Sequence, residues 1–451
     1  MKARMILCLP LALALVAPLT IRADRATPDK DCDDRDCRDS EHHEHNVNTP
    51  VRLLGVIPVP GNPIMSTDIS WVDPGTERFY LADRSNFGVD IIDAEDNFYV
   101  GRVDGMAGPK PSGGGTSTTN GPGPNGVLVT PNRRLWSGDG NSLVEVNDVD
   151  PDSPTYLMRL ASVNTANATC DTNTPPGNPA SATGHWCGRA DELGYDPKDH
   201  LILVANNAPL SPTMICPTPT NPAAHCPVNP YATLIDAKTY AVRGQITFAN
   251  SGGLEQPLWD PALGRFWITV PGPSGGNPRI DRIDPTVFPL KVDKSIGLDC
   301  KALTGTASPS ITGIALGPYQ HLLVAACGSP IILSALSGHV FNVITQVGGG
   351  DEVWHNPGDD RFYVTAGDTS TPPVQSLGVI DAETSTWLQN VPDVRGRNPS
   401  AFSENNHIFN AVTAPVPPTV EDPNSPCVQA GLVGRGCIAV FGHANEGDDE
   451  N

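Results

Sequence analysis

A short pattern that recurs along this chain constrains its fold more than any other feature. A polar residue precedes an apolar strand, a turn usually led by Pro, and a second strand rich in aromatic residues and Val, as in residues 351–367, DEVWHNPGDDRFYVTAG. The turns contain Pro74, Pro131, Pro197, Pro261, Pro318, Pro357 and, in the seventh copy, Glu404. The polar residues six positions earlier, which we call the register residues, are Asp68, Asn125, Asp191, Glu255, Thr312, Asp351 and Asn398.

Each copy continues with further short strands. A third strand often ends in Asp, as in VDIID (89–93) and ATLID (232–236), and a fourth follows in runs such as FYVGRV (98–103) and VRGQITF (242–248). Four short strands per repeat are typical of a β-propeller blade, and blades buried on both faces need not alternate strictly between apolar and polar residues. We therefore predict an all-β fold, a seven-bladed β-propeller.

The two ends of the repeat region complement each other. Residues 51–59, VRLLGVIPV, resemble the fourth strand of a blade but precede the first copy, whereas the last copy ends at its third strand, residues 437–443. If the N-terminal strand completes the last blade, the ring closes and no edge strand is exposed. We therefore expect one propeller domain over residues 51–443.

The first 23 residues resemble a secretory signal peptide. Lys2 and Arg4 precede an apolar run from residue 5 to residue 21, and cleavage after Ala23 would remove the run together with Cys8. The run is short for a membrane anchor, and no second apolar span follows it. We expect a soluble, secreted or periplasmic protein without a membrane span.

Two polar segments flank the predicted propeller. Residues 24–50 are rich in acidic residues, His and Cys, and admit two interpretations: a metal-capturing tail or a solvated linker. We favour a disordered linker because the segment lacks the apolar residues that a core needs. The acidic residues 444–451 are interpreted in the same way, as a tail.

Cysteine content and charge narrow the class of protein. Ten cysteines remain after cleavage, and an even number in an exported chain favours disulfides over thiolate metal sites. Their spacing suggests local pairs: Cys32–Cys37, Cys170–Cys187, Cys216–Cys226, Cys300–Cys327 and Cys427–Cys437. The net charge of −21 argues against nucleic acid or an anionic membrane surface as a partner.

Long insertions are predicted on one face of the ring. They lie between fourth and first strands (104–124, 164–190, 298–310) and between second and third strands (206–230, 414–435). In a propeller both types of connection reach the face on which the first, innermost strand begins, so the register residues should form one tier at that end of the channel. Long loops on a rigid scaffold are frequent functional sites. We call this the insertion face and the opposite one the turn face.

The acidic register residues suggest a metal site. Asp68, Asp191, Glu255 and Asp351, with neighbours Glu192 and Glu352, would crowd carboxylates around one channel, where like charges raise each other's pKa unless a cation intervenes. Oxygen ligands without His or Cys favour Ca²⁺, or else Mg²⁺ or Mn²⁺. Alternatively, these side chains only hydrate the channel mouth or accept hydrogen bonds from neighbouring backbone N–H groups.

Short motifs of this chain resemble those of two families of propeller proteins. The phrases FYVTA (362–366) and GVIDAET (378–384) resemble YVTN-type propeller repeats over most of residues 51–443. More narrowly, LEQPLWDP and GPNGVLVTP resemble phrases of the senescence-marker-protein and gluconolactonase family, whose exported relatives are lactonases. That resemblance implies a channel metal held by Glu255, Asn125 and an Asp, with Asp191 and Asp351 as candidates, and the register adds Asp68 to the predicted metal ligands.

Motifs for serine hydrolases, haem attachment, phosphate loops and dinucleotide binding are not found in the sequence. Two classes of function remain. The first is a divalent-metal-dependent hydrolase of a small ester or lactone, with Asp351 or Glu352 activating water. The second is a non-catalytic propeller that binds a protein, glycan or small ligand at the insertion face. In either case we expect a monomer.

Overall fold

The computed structural model describes residues 50–106, 123–139, 142–166, 189–207, 229–415 and 419–443. These residues form seven four-stranded antiparallel sheets, which are the blades of a β-propeller. The all-β, seven-bladed prediction is therefore confirmed. The predicted signal peptide, the linker up to residue 49, the acidic tail and the pairs Cys32–Cys37, Cys170–Cys187 and Cys216–Cys226 lie outside the described residues.

The first four blades follow one another along the chain. Blade 1 contains β2 (Thr67–Asp73), β3 (Arg78–Asp83), β4 (Gly88–Asp93) and β5 (Phe98–Asp104). Blade 2 contains β6 (Val127–Thr130), β7 (Arg134–Asp139), β8 (Leu143–Asp148) and β9 (Arg159–Asn164). Blade 3 contains β10 (Arg189–Asp196), β11 (Leu201–Asn207), β12 (Tyr231–Asp236) and β13 (Val242–Thr247). Blade 4 contains β14 (Pro257–Asp260), β15 (Arg265–Val270), β16 (Arg279–Ile283) and β17 (Val292–Gly297).

The remaining blades complete the ring. Blade 5 contains β18 (Ile311–Leu316), β19 (His321–Ala326), β20 (Ser329–Ser334) and β21 (Val340–Val343). Blade 6 contains β22 (Val353–Asn356), β23 (Arg361–Gly367), β24 (Gln375–Asp381) and β25 (Thr386–Pro392). Blade 7 contains β26 (Gly396–Phe402), β27 (His407–Val412), β28 (Cys437–His443) and, as its outer strand, β1 (Val51–Ile57), which pairs antiparallel with β28. The predicted closing strand is thus confirmed.

The hydrophobic core lies between the blades. Seven buried clusters are present, one for each pair of neighbouring blades, and the cluster between blades 7 and 1 joins Phe409 to Phe79 with ring centroids 5.1 Å apart. Each blade therefore buries both of its faces, which explains strands such as GVDIID (88–93) that are buried at every position. The first strands of neighbouring blades contact each other and line the centre.

The turns between first and second strands share one backbone feature. The residue directly before each second strand has a positive φ of 52° to 64°, in the left-handed region. These residues are Glu77, Arg133, His200, Gly264, Gln320, Asp360 and Asn406. Left-handed backbone costs a non-glycine residue about 1 kcal/mol, so its recurrence in all seven blades shows that the tight turn is required for strand pairing.

The described insertions are held by short helices and disulfides. α1 (Cys300–Thr304) lies between β17 and β18, and Cys300 is bonded to Cys327 after β19, with Cα atoms 5.1 Å apart. α2 (Pro426–Gln429) lies between β27 and β28, and Cys427 is bonded to Cys437, with Cα atoms 5.6 Å apart. Both predicted pairs are confirmed. Neither helix in the described part of the chain has the length and hydropathy of a membrane span.

Candidate functional site

The register residues lie where the pairing of the innermost strands is interrupted. In blades 1, 3, 5 and 7 each falls inside an irregularity of the ladder between first and second strands, as at Asp191 between Ala190 and Leu193. In blades 2, 4 and 6 the first strand begins two residues later. Such interruptions re-aim side chains and release backbone groups from the ladder. All seven positions are therefore free to depart from strand geometry.

Five register residues line one cavity of about 300 Å³: Asp68, Asp191, Glu255, Thr312 and Asp351. Glu192 and four arginines, Arg84, Arg189, Arg395 and Arg397, line it as well. A second, more open cavity of about 550 Å³ adjoins it and contains Asn398. Asp351, Arg395, Arg397 and Thr413 line both cavities. The structure thus brings carboxylates and guanidinium groups together at the insertion face.

Arg84 joins the register residues of blades 1 and 2. It is buried, pairs with the Asp68 carboxylate, and donates from Nη2 to Asn125 Oδ1 at 2.6 Å. Asn125 in turn donates to the Ala190 carbonyl at 2.8 Å, which reaches blade 3. Burial raises the pKa of Asp68 to about 6, against the opposing charge of Arg84. Arg84 therefore provides positive charge where the sequence suggested a metal ion.

Arg189 pairs with the register residue of blade 3, Asp191, as Arg84 pairs with Asp68 in blade 1. Its Nε and Nη2 lie 2.9 and 2.7 Å from Asp191 Oδ2, and Asn207 Nδ2 is 3.3 Å from the same oxygen and 3.4 Å from Glu255 Oε1. Burial lowers the pKa of Arg189, but the charges of Asp191, Asp68 and Glu255 outweigh it and raise the pKa overall. The guanidinium is thus fixed in its charged form.

Arg395 and Arg397 line both cavities. Their positive charges are less balanced by carboxylates than those of Arg84 and Arg189. Arg397 has its Nη2 3.4 Å from Asp351 Oδ2 and is half-exposed. Arg395 donates from Nε to the Thr413 carbonyl at 2.9 Å and from Nη2 to the Ala414 carbonyl at 3.3 Å. Within the described ranges Arg395 has no carboxylate partner. Its backbone is left-handed, with φ of 66°, as in the other tight turns of this fold.

Glu192 is the least compensated carboxylate of the cavity. Gln256, which follows the register residue of blade 4, accepts a hydrogen bond from Ile314 N of blade 5 at 2.7 Å. The corresponding donor for Glu192 is residue 257 of blade 4, which is Pro257 and has no N–H. Glu192 is 4% exposed, and its Oε2 has no hydrogen-bond partner among the described residues.

Several of these carboxyl groups hold their protons tightly. Burial, together with the charges of Glu255 and Asp191, raises the pKa of Glu192 well above its ordinary value. Burial and the charges of Asp191 and Asp351 do the same for Glu255. Glu352, buried behind the tier, accepts from Ser70 N at 3.0 Å, and burial raises its pKa too. These groups therefore keep their protons to higher pH than ordinary carboxyl groups do.

The metal prediction can be compared with this geometry. The predicted ligands Asp68, Asp191 and Glu255 line the cavity, whereas Asn125 is turned to Arg84 and Ala190. Across the described residues no three His, Cys, Asp or Glu side chains stand together as a group that could hold an ion. The oxygen donors are of the type that Ca²⁺ prefers, but Asp68 and Asp191 are engaged by arginines. A metal site here stays a prediction.

Sequence reasoning missed the four arginines because it followed one offset from the turn. Arg189 and Arg397 precede their register residues by two positions and one, Arg395 precedes Asn398 by three, and Arg84 follows the second strand of blade 1. The motifs RAD (189–191) and RGRN (395–398) were a usable signal. In a chain with 50 acidic and 29 basic residues, arginines beside the acidic register residues stand out.

Comparison with known proteins supports the fold alone. No family model matches the chain, and no curated protein matches it. A chain in the crystal structure of the mitotic checkpoint complex is 12% identical, with a TM-score of 0.50 over 96% of this chain and 99% of that one. The β-propeller domain of Cps50 (Swd1) from Myceliophteria thermophila is 9% identical, with a TM-score of 0.54 over 88% of this chain and 100% of that one. The YVTN-type and lactonase-like resemblances stay expectations from the sequence.

Proposed function

We propose that this propeller is a non-catalytic binding protein that captures a small molecule bearing a carboxylate at its insertion face. The observation that carries the proposal is Arg395, whose guanidinium lines two cavities and is held by the carbonyls of Thr413 and Ala414 rather than by an acid. A guanidinium held by neutral acceptors keeps its charge for a ligand. Its planar fork matches a carboxylate with two parallel hydrogen bonds.

Arg397 supplies the second donor of this site. Its contact with Asp351 is long and partly exposed, and such pairs contribute less than about 1 kcal/mol, so a ligand carboxylate can compete with Asp351 for it. Among the described residues farther round the cavity, a second carboxylate would find no free cation, because Arg84 is paired with Asp68 and Arg189 with Asp191. We therefore infer a ligand with one carboxylate, or a zwitterion whose cationic end lies toward Glu192.

The proposed setting is an oxidising compartment. The disulfides Cys300–Cys327 and Cys427–Cys437 both brace connections of the insertion face, and disulfides persist mainly in exported proteins. Together with the signal-like first 23 residues, this supports a secreted or periplasmic binding protein whose ligand is met outside the cytoplasm.

Calorimetric titration tests the proposal. Butyrate should bind the wild type more tightly than butyramide, and Arg395→Gln should weaken butyrate binding by about 10- to 100-fold, the worth of a charged hydrogen bond. Arg133→Gln is the matched control, because Arg133 is an exposed arginine of the turn face paired with Asp150. Equal affinities for the acid and the amide would contradict the proposal.

A second candidate function is hydrolysis of a small ester or lactone, favoured by the buried carboxyl groups with raised pKa values. Asp351 lines the cavity, and Glu352 keeps one carboxyl oxygen, Oε1, without a partner among the described residues. Either can hold or move a proton as a general base. Asp68, Asn125, Asp191 and Glu255 would hold a divalent cation, with Ca²⁺ the expected ion. When bound, that cation would polarise the substrate carbonyl.

A lactone-hydrolysis assay separates this candidate from the first. Turnover that EDTA abolishes and that Glu255→Gln removes would support the hydrolase, with the exposed Glu95→Gln on the turn face as the control. Turnover that is unchanged in Glu255→Gln would exclude the proposed metal site. Absence of turnover together with carboxylate binding would leave the binding function alone.

A further inference from the structure

An apolar groove of about 580 Å³ runs beside the polar cavities on the insertion face. Its lining includes Pro63, Ala414, Val420, Pro423, Val428 and Val433. Met65 lines both this groove and the cavity that contains Arg395 and Arg397, so the two are neighbours that share a wall. An apolar groove therefore lies directly beside the proposed carboxylate site.

The groove is built from described segments that are tied together. Ile64 N donates to the Arg435 carbonyl at 2.7 Å, and Ala414 N donates to the Ile64 carbonyl at 2.6 Å, which joins three segments distant in sequence. The Cys427–Cys437 disulfide fixes α2 to the start of β28 beneath them. Because its walls are held by backbone hydrogen bonds and a covalent link, the groove is formed before any ligand arrives.

Two valines of this groove are largely exposed although they are apolar. Val420 is 89% exposed and Val433 is 66% exposed. Because both valines line the same groove, an apolar ligand lying there would cover them. Ala414 connects the groove to the carboxylate site, because it lines the groove while its carbonyl accepts a hydrogen bond from Arg395.

We propose that the ligand is amphipathic, with its carboxylate on Arg395 and Arg397 and an unbranched aliphatic tail in the groove lined by Val420 and Val433. This inference rests on the proposed binding function. Three observations support it: the shared wall at Met65, the guanidinium groups of the neighbouring cavity, and the lack of charged side chains other than Glu421 among the described residues that line the groove. Glu421 accepts from Gly434 N at 2.6 Å, so its charge is engaged.

A chain-length series tests the inference by calorimetry with acetate, butyrate and octanoate. A fully buried methylene contributes about a fourfold gain in affinity, so wild-type affinity should rise by about tenfold or more from butyrate to octanoate, allowing for partial burial. The double variant Val420→Ser, Val433→Ser should bind butyrate as the wild type does but lose the gain for octanoate. Leu336→Ser, an exposed leucine of the turn face, is the matched control.

The outcomes separate the two proposals. Equal affinities for butyrate and octanoate in the wild type would overturn the aliphatic tail but leave the carboxylate site standing, whereas failure of every carboxylate to bind would overturn both. A gain for octanoate that survives in the double variant would show that the tail lies elsewhere. If sedimentation shows that the same variant converts a dimer into a monomer without changing octanoate binding, a second copy occupies the groove and the inference is wrong.

Discussion

The two faces of the propeller use the same residue types in different ways. On the turn face, the basic residue that opens a second strand pairs with the Asp that ends or follows a third strand. The same ion pair recurs in three blades with N···O distances of 2.6 to 2.7 Å: Arg78–Asp93, Arg134–Asp148 and Arg265–Asp284. On the insertion face, the four arginines occupy different positions within their blades. None of the contacts described above for one of them recurs in another blade.

Titration behaviour follows the same division. On the turn face, burial alone would raise the pKa of Asp148, but hydrogen bonds from Ser153 and Thr155 and the charge of Arg134 lower it below its ordinary value. On the insertion face, burial prevails and raises the pKa of Asp68 and of Glu192. The turn face thus contributes to stability, whereas the insertion face retains polar groups, such as Glu192 Oε2, that lack a hydrogen-bond partner among the described residues. We expect a ligand to bind where polar groups lack a partner in the protein.

Removing a carboxylate from the turn face should have the largest effect on stability. Asp148 accepts from Arg134 at 2.6 Å, from Ser153 at 2.6 Å and from Thr155 at 2.5 Å. Asp148→Ala leaves these donors without their acceptor, so the free energy of unfolding should fall by about 3 kcal/mol. Urea denaturation measures it.

The matched substitution on the insertion face is Asp351→Ala. Asp351 is partly exposed and has one long ion pair, so its loss should cost less than about 1 kcal/mol, while freeing Arg397 should strengthen butyrate binding. If Asp351→Ala is as destabilising as Asp148→Ala, the division between the faces is wrong.

A smaller effect of opposite sign is expected at Glu192. Glu192→Gln removes a carboxyl group whose charged form is disfavoured by burial and whose Oε2 lacks a partner among the described residues, so the free energy of unfolding should rise by about 1 kcal/mol. Glu352→Gln is the control, because Glu352 already accepts from Ser70 N and should gain less. A loss of stability in Glu192→Gln would mean that its carboxylate is satisfied in the folded chain.

The pH dependence of stability should also differ between the two faces. Because the pKa of Asp68 is raised to about 6, the folded chain holds this proton more tightly than the unfolded chain. Stability from Asp68 is therefore present at about pH 4 and lost as pH rises to about 6. Asp284 has a lowered pKa, since hydrogen bonds from Thr286 and the charge of Arg265 outweigh burial, so its contribution is lost as pH falls below about 4.

Urea denaturation across this pH range should show both losses of stability, one as pH rises from about 4 to 6 and one as pH falls below about 4. Asp68→Asn should flatten the decline between about pH 4 and 6, and Asp284→Asn should flatten the decline below about pH 4, each by less than about 1 kcal/mol per pH unit. A wild-type stability that rises steadily from pH 4 to 6, with no change in Asp68→Asn, would contradict the raised pKa.

The blades could be predicted from sequence because their signals are local. A turn proline, a closing basic residue and an Asp after the third strand lie within one repeat, and the ion pairs of the turn face connect them within one blade, as in Arg134–Asp148. Even the closing strand β1 was visible as an unpaired fourth strand. The site was predicted only in part, because its contacts run between blades. Asp191 and Glu255 could be placed by register, but their arginine partners could not.

A crystal structure of the protein with butyrate tests the central claim most directly. We predict a carboxylate with oxygens about 2.7–3.2 Å from the guanidinium nitrogens of both Arg395 and Arg397, and no such molecule in crystals of Arg395→Gln grown at the same butyrate concentration. Butyrate bound away from these two arginines, or an insertion face that stays free of it at a concentration that saturates binding in solution, would contradict the account.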